Sequence, residues 1–162
     1  MRSEQAFISL KIRCFILLSL ILAGFQTQLS AQTWTTTQPG DWESPIWECS
    51  QGPCNTQWPD NNVNGATIQI LHDVTYSSNS PINLGNRAIL EVSGATFTNL
   101  SNLNVNSSSA LFRTFNALVN IGPGVMNVDG VVELTNSVVI KDGNVVNNLD
   151  INVSNACFTL ES

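Results

Sequence analysis

Leu84-Gly-Asn-Arg-Ala-Ile-Leu-Glu-Val-Ser-Gly-Ala-Thr-Phe97 is the stretch that decides the fold. Its apolar positions return 21 residues later in Val105–Leu118 and again in Met126–Val139. Leu90, Leu111, Val132 and Val153 form one column at that step, and Phe97, Leu118, Val139 and Leu160 form a second. Leu84, Val105 and Met126 make a third column, and Asn106, Asn127 and Asn148 make a polar fourth. Self-similarity at a fixed step of about 20 residues or more marks a solenoid. One turn cannot bury its apolar face alone, so neighbouring turns stack. The columns predict apolar residues piled inward along an axis, with asparagines hydrogen-bonded to one another up the stack.

Strands, not helices, carry this pattern. The runs Ala66–Leu71, Ala88–Val92, Ala117–Ile121, Val131–Leu134, Ser137–Ile140 and Leu149–Val153 are short and apolar or alternating. Ser93-Gly94, Gly122-Pro-Gly124, Asp129-Gly130 and Asp142-Gly143 separate them as turns. Asn, Val, Thr and Ser are weak helix formers. All 20 asparagines lie at or beyond Asn55, which makes this region Asn-rich. The expected fold is all-β: a short parallel β-solenoid of about four turns, roughly 20 Å tall at about 4.8 Å per stacked strand. The competing arrangement for short strands at regular intervals is a β-sandwich.

Upstream the composition changes. From Gln32 to about Asn64 the chain carries Trp34, Trp42, Trp47 and Trp58, with turn signals at Gly40-Asp41, Ser44-Pro45, Gly52-Pro53 and Pro59-Asp60. We expect an irregular Trp-rich cap over residues 32–65, followed by solenoid turns over 66–162. Cys49 and Cys54 flank Ser-Gln-Gly-Pro, a turn-forming tetrapeptide, and are expected to pair. Cys157, between Ala156 and Phe158, is expected to be a buried, inert strand residue. The chain stops at Thr159-Leu-Glu-Ser162, close to an expected core position, so a longer parent protein is expected.

Residues 1–31 have the parts of a secretory signal peptide: Arg2, Lys11 and Arg13, an apolar run Cys14–Phe25, and the small residue Ala31 at the cut. That run is shorter than the roughly 20 residues of a spanning helix. The mature chain is therefore expected to have no membrane span and to be secreted or held at the cell surface. Beyond the cut, three basic residues face eleven acids, a net charge of −8. Nucleic acid requires clustered Lys and Arg, so it is not an expected partner.

Sites for chemistry are scarce. His72, the only histidine, adjoins Asp73 after an apolar strand. Adjacent strand residues point to opposite faces, so a satisfied turn is expected rather than a catalytic pair. Glu91, Glu133, Asp129, Asp142 and Asp150 are the carboxylates that an acid–base mechanism on sugars would need. Asp129-Gly130 and Asp142-Gly143 read as ordinary turns. No metal-ligand spacing and no regular calcium repeat is present, so no catalytic residue, metal or cofactor is expected. Trp34, Trp42, Trp47 and Trp58 are the candidate ligand-binding residues, because flat aromatic faces stack on pyranose rings. The competing role for them is packing over the first turn. Asn99, Asn106 and Asn152 head glycosylation-type triplets.

The string Ala31-Gln-Thr-Trp34, Pro39-Gly-Asp-Trp42, Pro45-Ile-Trp47, Trp58-Pro-Asp60, Ala66-Thr-Ile-Gln-Ile70 and Val92-Ser-Gly-Ala95 resembles the N-terminal region of secreted parallel β-helix repeat proteins of the Bacteroidetes type. The resemblance covers about residues 31–100. It departs at Asn64-Gly-Ala, where an acidic residue is common, and at the Cys49/Cys54 insertion. It implies a right-handed coil and a cell-surface or secreted protein, often adhesive or carbohydrate-related. Many such proteins look like clients of type IX secretion with a separate sorting domain. The expected function is thus a structural or adhesive β-helix module without catalysis, with carbohydrate or other surface proteins as partners. The alternatives are a carbohydrate-binding accessory region and the N-terminal part of a pectate-lyase-like enzyme.

Overall fold

Runs of two to five residues that alternate branched apolar with polar side chains form the strands. The computed structural model describes residues 31–51, 54–142, 145–147 and 151–161, all in one compact unit. The expected signal segment up to residue 30, with Asn148 and Asp150, lies outside the described residues. No helix occurs among the described residues.

The strands come in threes. The chain begins with β1 (Thr33–Thr36), β2 (Gly40–Asp41), β3 (Trp47–Ser50) and β4 (Asn62–Val63). Four fuller turns follow: β5 (Thr67–Ile70), β6 (Val74–Tyr76) and β7 (Ile82–Leu84); β8 (Ile89–Ser93), β9 (Thr96–Asn99) and β10 (Leu103–Val105); β11 (Leu111–Phe115), β12 (Leu118–Ile121) and β13 (Met126–Val128); β14 (Val131–Thr135), β15 (Val138–Asp142) and β16 (Val145–Asn147). β17 (Ile151–Ser154) and β18 (Cys157–Glu161) come last. The first strand of each turn joins a seven-stranded sheet, the second a six-stranded sheet and the third a five-stranded sheet. All pairings are parallel except β3 on β1. The protein is a β-solenoid, as the repeat predicts.

The residues expected as an irregular cap start this stack. β1, β2 and β4 each pair parallel with a strand of the next turn, and β3 folds back antiparallel along β1. Their strands are two to four residues long, too short to show a period in the sequence. Trp34 lies inside, in register with Ile68.

The step is not a constant 21. In the seven-stranded sheet Ile68, Leu90 and Phe112 succeed one another at 22 residues, Val132 follows at 20 and Ile151 at 19. Side chains alternate along a strand, so a one-residue error moves a column to the opposite face. Leu90 therefore stacks on Phe112, not Leu111, and Phe97 stacks on Val119, not Leu118. Phe112 and Val119 are fully buried, whereas Leu118 is 38% exposed. Leu84 does stack on Val105, which then meets Val128 rather than Met126.

The corners explain the variable step. Between the seven- and six-stranded sheets one residue turns the chain, with φ of 64° at Gly94, 49° at Asn116, 48° at Asn136 and 48° at Asn155. Glycine tolerates this left-handed conformation, and asparagine is the next most tolerant because its short amide bonds locally. Ala95, Ala117, Ser137 and Ala156 follow, small enough to lie against the interior. The corner N–H groups of Gly94, Asn116 and Asn136 donate to Phe115, Thr135 and Ser154 carbonyls of the next turn at 2.9–3.1 Å. The other corners vary, from five residues between β10 and β11 to two between β13 and β14, and they set the step.

Core and ladder hold the stack together. Trp42, Tyr76, Phe97, Phe112, Ile68, Leu90 and Leu103 are fully buried; each such side chain contributes roughly 1.5–3 kcal/mol of apolar burial. On the outer face of the five-stranded sheet the expected asparagine ladder exists; Asn127 belongs to it as expected, and Asn62, Asn83 and Asn104 are its other members. Asn83 donates to Asn62, Asn104 to Asn83 and Asn127 to Asn104, each at 2.7 Å. Asn106 sits beside the ladder, 3.4 Å from Asn83 Oδ1.

Candidate binding surface

The four tryptophans separate into two kinds. Trp34 and Trp42 are buried, at 4% and 0% exposure. Trp42 packs edge-on against Trp47 at 5.1 Å and Tyr76 at 5.6 Å, and its indole N–H donates to the Pro59 carbonyl at 2.9 Å. Both rings belong to the core, and Trp42 also forms part of the lining of the hollow around Trp58. Trp47 is half-buried and donates to the Trp42 carbonyl at 2.8 Å. Trp58 is half-buried too, but it lines a hollow of about 300 Å³ with Glu43, Thr56, Asp60, Asn61 and Ser80.

That hollow is fixed by its own hydrogen bonds. Thr56 Oγ1 donates to the Trp58 carbonyl at 2.7 Å, and the Asn61 amide donates to the Pro81 carbonyl at 3.1 Å. Asp60 Oδ1 accepts from the Asn62 N–H at 2.9 Å. The nearby Cys49–Cys54 disulfide forms as expected, with Cα atoms 6.0 Å apart, and closes the loop after β3. An aromatic ring among carboxylate, amide and hydroxyl groups suits a polyhydroxylated ligand, whose C–H face stacks while its hydroxyls bond.

A second surface appears on the outer face of the seven-stranded sheet. Register places Thr35, Gln69, Glu91, Arg113 and Glu133 in one column. Thr35 Oγ1 donates to Gln69 Oε1 at 3.2 Å. Arg113 Nε donates to Glu91 Oε2 at 2.7 Å, and Arg113 Nη2 pairs with the same oxygen. The next outward column holds Ser93, Phe115 and Thr135. Glu91, Arg113 and Glu133 with Ser93, Phe115 and Thr135 line a shallow trough of about 310 Å³. Sequence alone hides it, because its residues are brought together only by steps of 22 and 20.

The remaining candidates are structural in placement. His72 Nδ1 donates to the Thr36 carbonyl at 3.0 Å, and Thr36 Oγ1 accepts the N–H groups of Leu71 and His72 at 2.8 and 3.1 Å. Asp73 Oδ1 accepts the Thr96 N–H at 2.7 Å. His72 and Asp73 thus serve different partners, as the satisfied turn predicts. Asp142 ends β15, in another sheet from Glu91 and Glu133. Cys157 is exposed, not buried, because it takes the outward position in register with Val138. Asn99 is fully buried, so its triplet is closed to a modifying enzyme in the folded chain, while Asn106 is exposed.

Lys141 is the residue that sequence reading passed over. It is fully buried, in the inward column after Asn99 and Ile121. Its ammonium donates to the Gly122 carbonyl at 2.8 Å and to the Asp142 carbonyl. Burial pushes its pKa below the ordinary lysine value, and the charge of Asp142 opposes that shift. The alternation of β15 gave the signal: Val139 and Lys141 share a face.

Among the described residues no group of His, Cys, Asp and Glu is arranged to hold a metal ion, and no helix is long and apolar enough to cross a membrane. No protein family, curated protein or solved structure matches the chain.

Proposed function

We propose that this protein is an exported, non-catalytic β-solenoid module that adheres to carbohydrate through the first-turn hollow around Trp58. The observation that carries this reading is the company Trp58 keeps. Its half-buried ring shares a wall with Glu43, Asp60, Asn61 and Thr56, and the buried Trp42 and Pro59 complete the lining. Carboxylate and amide oxygens accept sugar hydroxyls, and a ring fixed by surrounding packing stacks at little entropic cost. The disulfide and the leader-like residues 1–31 support export to an oxidising setting. The resemblance to surface β-helix repeat proteins supports the same location.

The test is binding of the mature chain to a panel of insoluble polysaccharides. Wild type is expected to co-sediment with at least one. Trp58→Ala is expected to weaken retention at least about tenfold and, because the ring packs partly against the core, to lower the thermal midpoint without unfolding the chain. Equal retention of the variant and wild type contradicts the reading.

A further inference from the structure

We propose that the outer face of the seven-stranded sheet is a second carbohydrate site, a track for an uncharged β-linked polysaccharide laid along the stack with one sugar per turn. This rests on the reading of the module as carbohydrate-binding, and it adds a site, a ligand class and a direction. β8, β11 and β14 present Glu91, Arg113 and Glu133 in one column on three successive turns. Stacked strands repeat at about 4.8 Å, close to the length of a β-linked pyranose unit. A chain lying along the axis therefore meets a new charged side chain with each new sugar.

The side chains are set for hydroxyls. Arg113 is anchored through Nε and Nη2 to one oxygen of Glu91. The anchoring leaves the other guanidinium N–H groups to donate outward, since guanidinium carries five donors. Glu133 is exposed, and its carboxylate makes no hydrogen bond or ion pair among the described residues although Arg113 is its register neighbour. A carboxylate accepts two hydroxyls of one sugar at once. Phe115, 49% exposed in the adjoining column, supplies an apolar face beside them, flanked by the hydroxyls of Ser93 and Thr135.

A purely structural charge ladder explains only part of this. It accounts for the Arg113–Glu91 pair but needs neither a free Glu133 nor a half-exposed phenylalanine. Charge narrows the ligand class. The trough carries two carboxylates and one guanidinium, on a chain whose residues 32–162 carry net −8. Acidic polysaccharides are repelled by that field.

The experiment is calorimetric titration of the mature chain with soluble β-linked gluco-, manno- and xylo-oligosaccharides of two to five units. For at least one series, affinity is expected to rise about tenfold from the disaccharide to the trisaccharide and then level off, since three turns carry the column. Glu133→Ala and Phe115→Ala are each expected to lower trisaccharide affinity about tenfold with the thermal midpoint unchanged. Both side chains point outward, so the fold survives their removal. Binding to none of the series, or binding without the step at three units, overturns the inference. Binding lost in Trp58→Ala but unchanged in both trough variants also overturns it, and leaves the first-turn site standing.

Discussion

Asn104 stands directly above Asn83 on the five-stranded sheet, and its amide N–H donates to the Asn83 carbonyl oxygen at 2.7 Å. Asn104 also accepts from Asn127 at 2.7 Å, so it holds two rungs of the ladder. Asn104→Ala breaks both and leaves two half-buried amides short of a partner. The expected loss is about 1–3 kcal/mol, read as a lower urea midpoint. Asn62→Ala removes one exposed rung at the ladder's end and is expected to cost less than about 1 kcal/mol.

The corner at Gly94 and the tight approach at Gly130 make different demands. At Gly94 φ is +64° and a Cβ would meet nothing within 4 Å. Its cost is conformational only, so Gly94→Ala is expected to lose about 1 kcal/mol. Gly94→Asn is expected to be near neutral, because asparagine holds this corner in three later turns. At Gly130 a Cβ would lie 2.6 Å from the Ser107 carbonyl oxygen and 2.7 Å from that of Ala110. Gly130→Ala is expected to cost about 1–3 kcal/mol through backbone displacement. Thermal midpoints of the three variants rank these effects.

Those corners also show why the sequence was legible only in part. A solenoid with about four turns follows from repeated apolar runs, and that much is read directly. Exact columns do not follow, because steps of 22, 20 and 19 average near 21 while each odd error inverts a face. The in-phase marker is the corner itself: Ser93-Gly-Ala, Phe115-Asn-Ala, Thr135-Asn-Ser and Ser154-Asn-Ala. Asp-Gly and Gly-Pro-Gly draw attention as turns, yet these Asn residues turn the chain equally well. At the candidate sites, Trp58 was nameable from composition, but what separates it from Trp42 is burial. The Glu91–Arg113–Glu133 column needed the register.

Thr114 sits in the core column between Val92 and Leu134, 3% exposed, and its hydroxyl has no hydrogen-bond partner. A buried hydroxyl without a partner costs about 1–3 kcal/mol relative to water. Thr114→Val replaces it with a methyl of nearly the same shape. The variant is expected to be more stable by about 1 kcal/mol, with an unchanged m-value in urea. Lower stability would mean that the hydroxyl is satisfied.

Lys141 makes stability rise with pH on the alkaline side. Burial lowers its pKa in the folded chain, while unfolding restores the ordinary value. Between the two values the unfolded chain holds a proton that the folded chain has released, so raising the pH favours folding. The contribution is full above the ordinary lysine value and is lost as pH falls through the lowered one. Lys141→Met is expected to remove this rise when urea midpoints of variant and wild type are compared across the alkaline range. Parallel curves for the two proteins would contradict it.

Binding without turnover is the central functional claim, and one assay reads both halves of it. The mature chain is incubated with the polysaccharide panel, the insoluble fraction is sedimented, and the supernatant is assayed for new reducing ends and unsaturated products. The account predicts that the protein sediments with polysaccharide, does so less in Trp58→Ala, and releases no product. Product that appears with the wild type and disappears on Glu91→Ala or Glu133→Ala would contradict it and make the outer face of the seven-stranded sheet a catalytic surface.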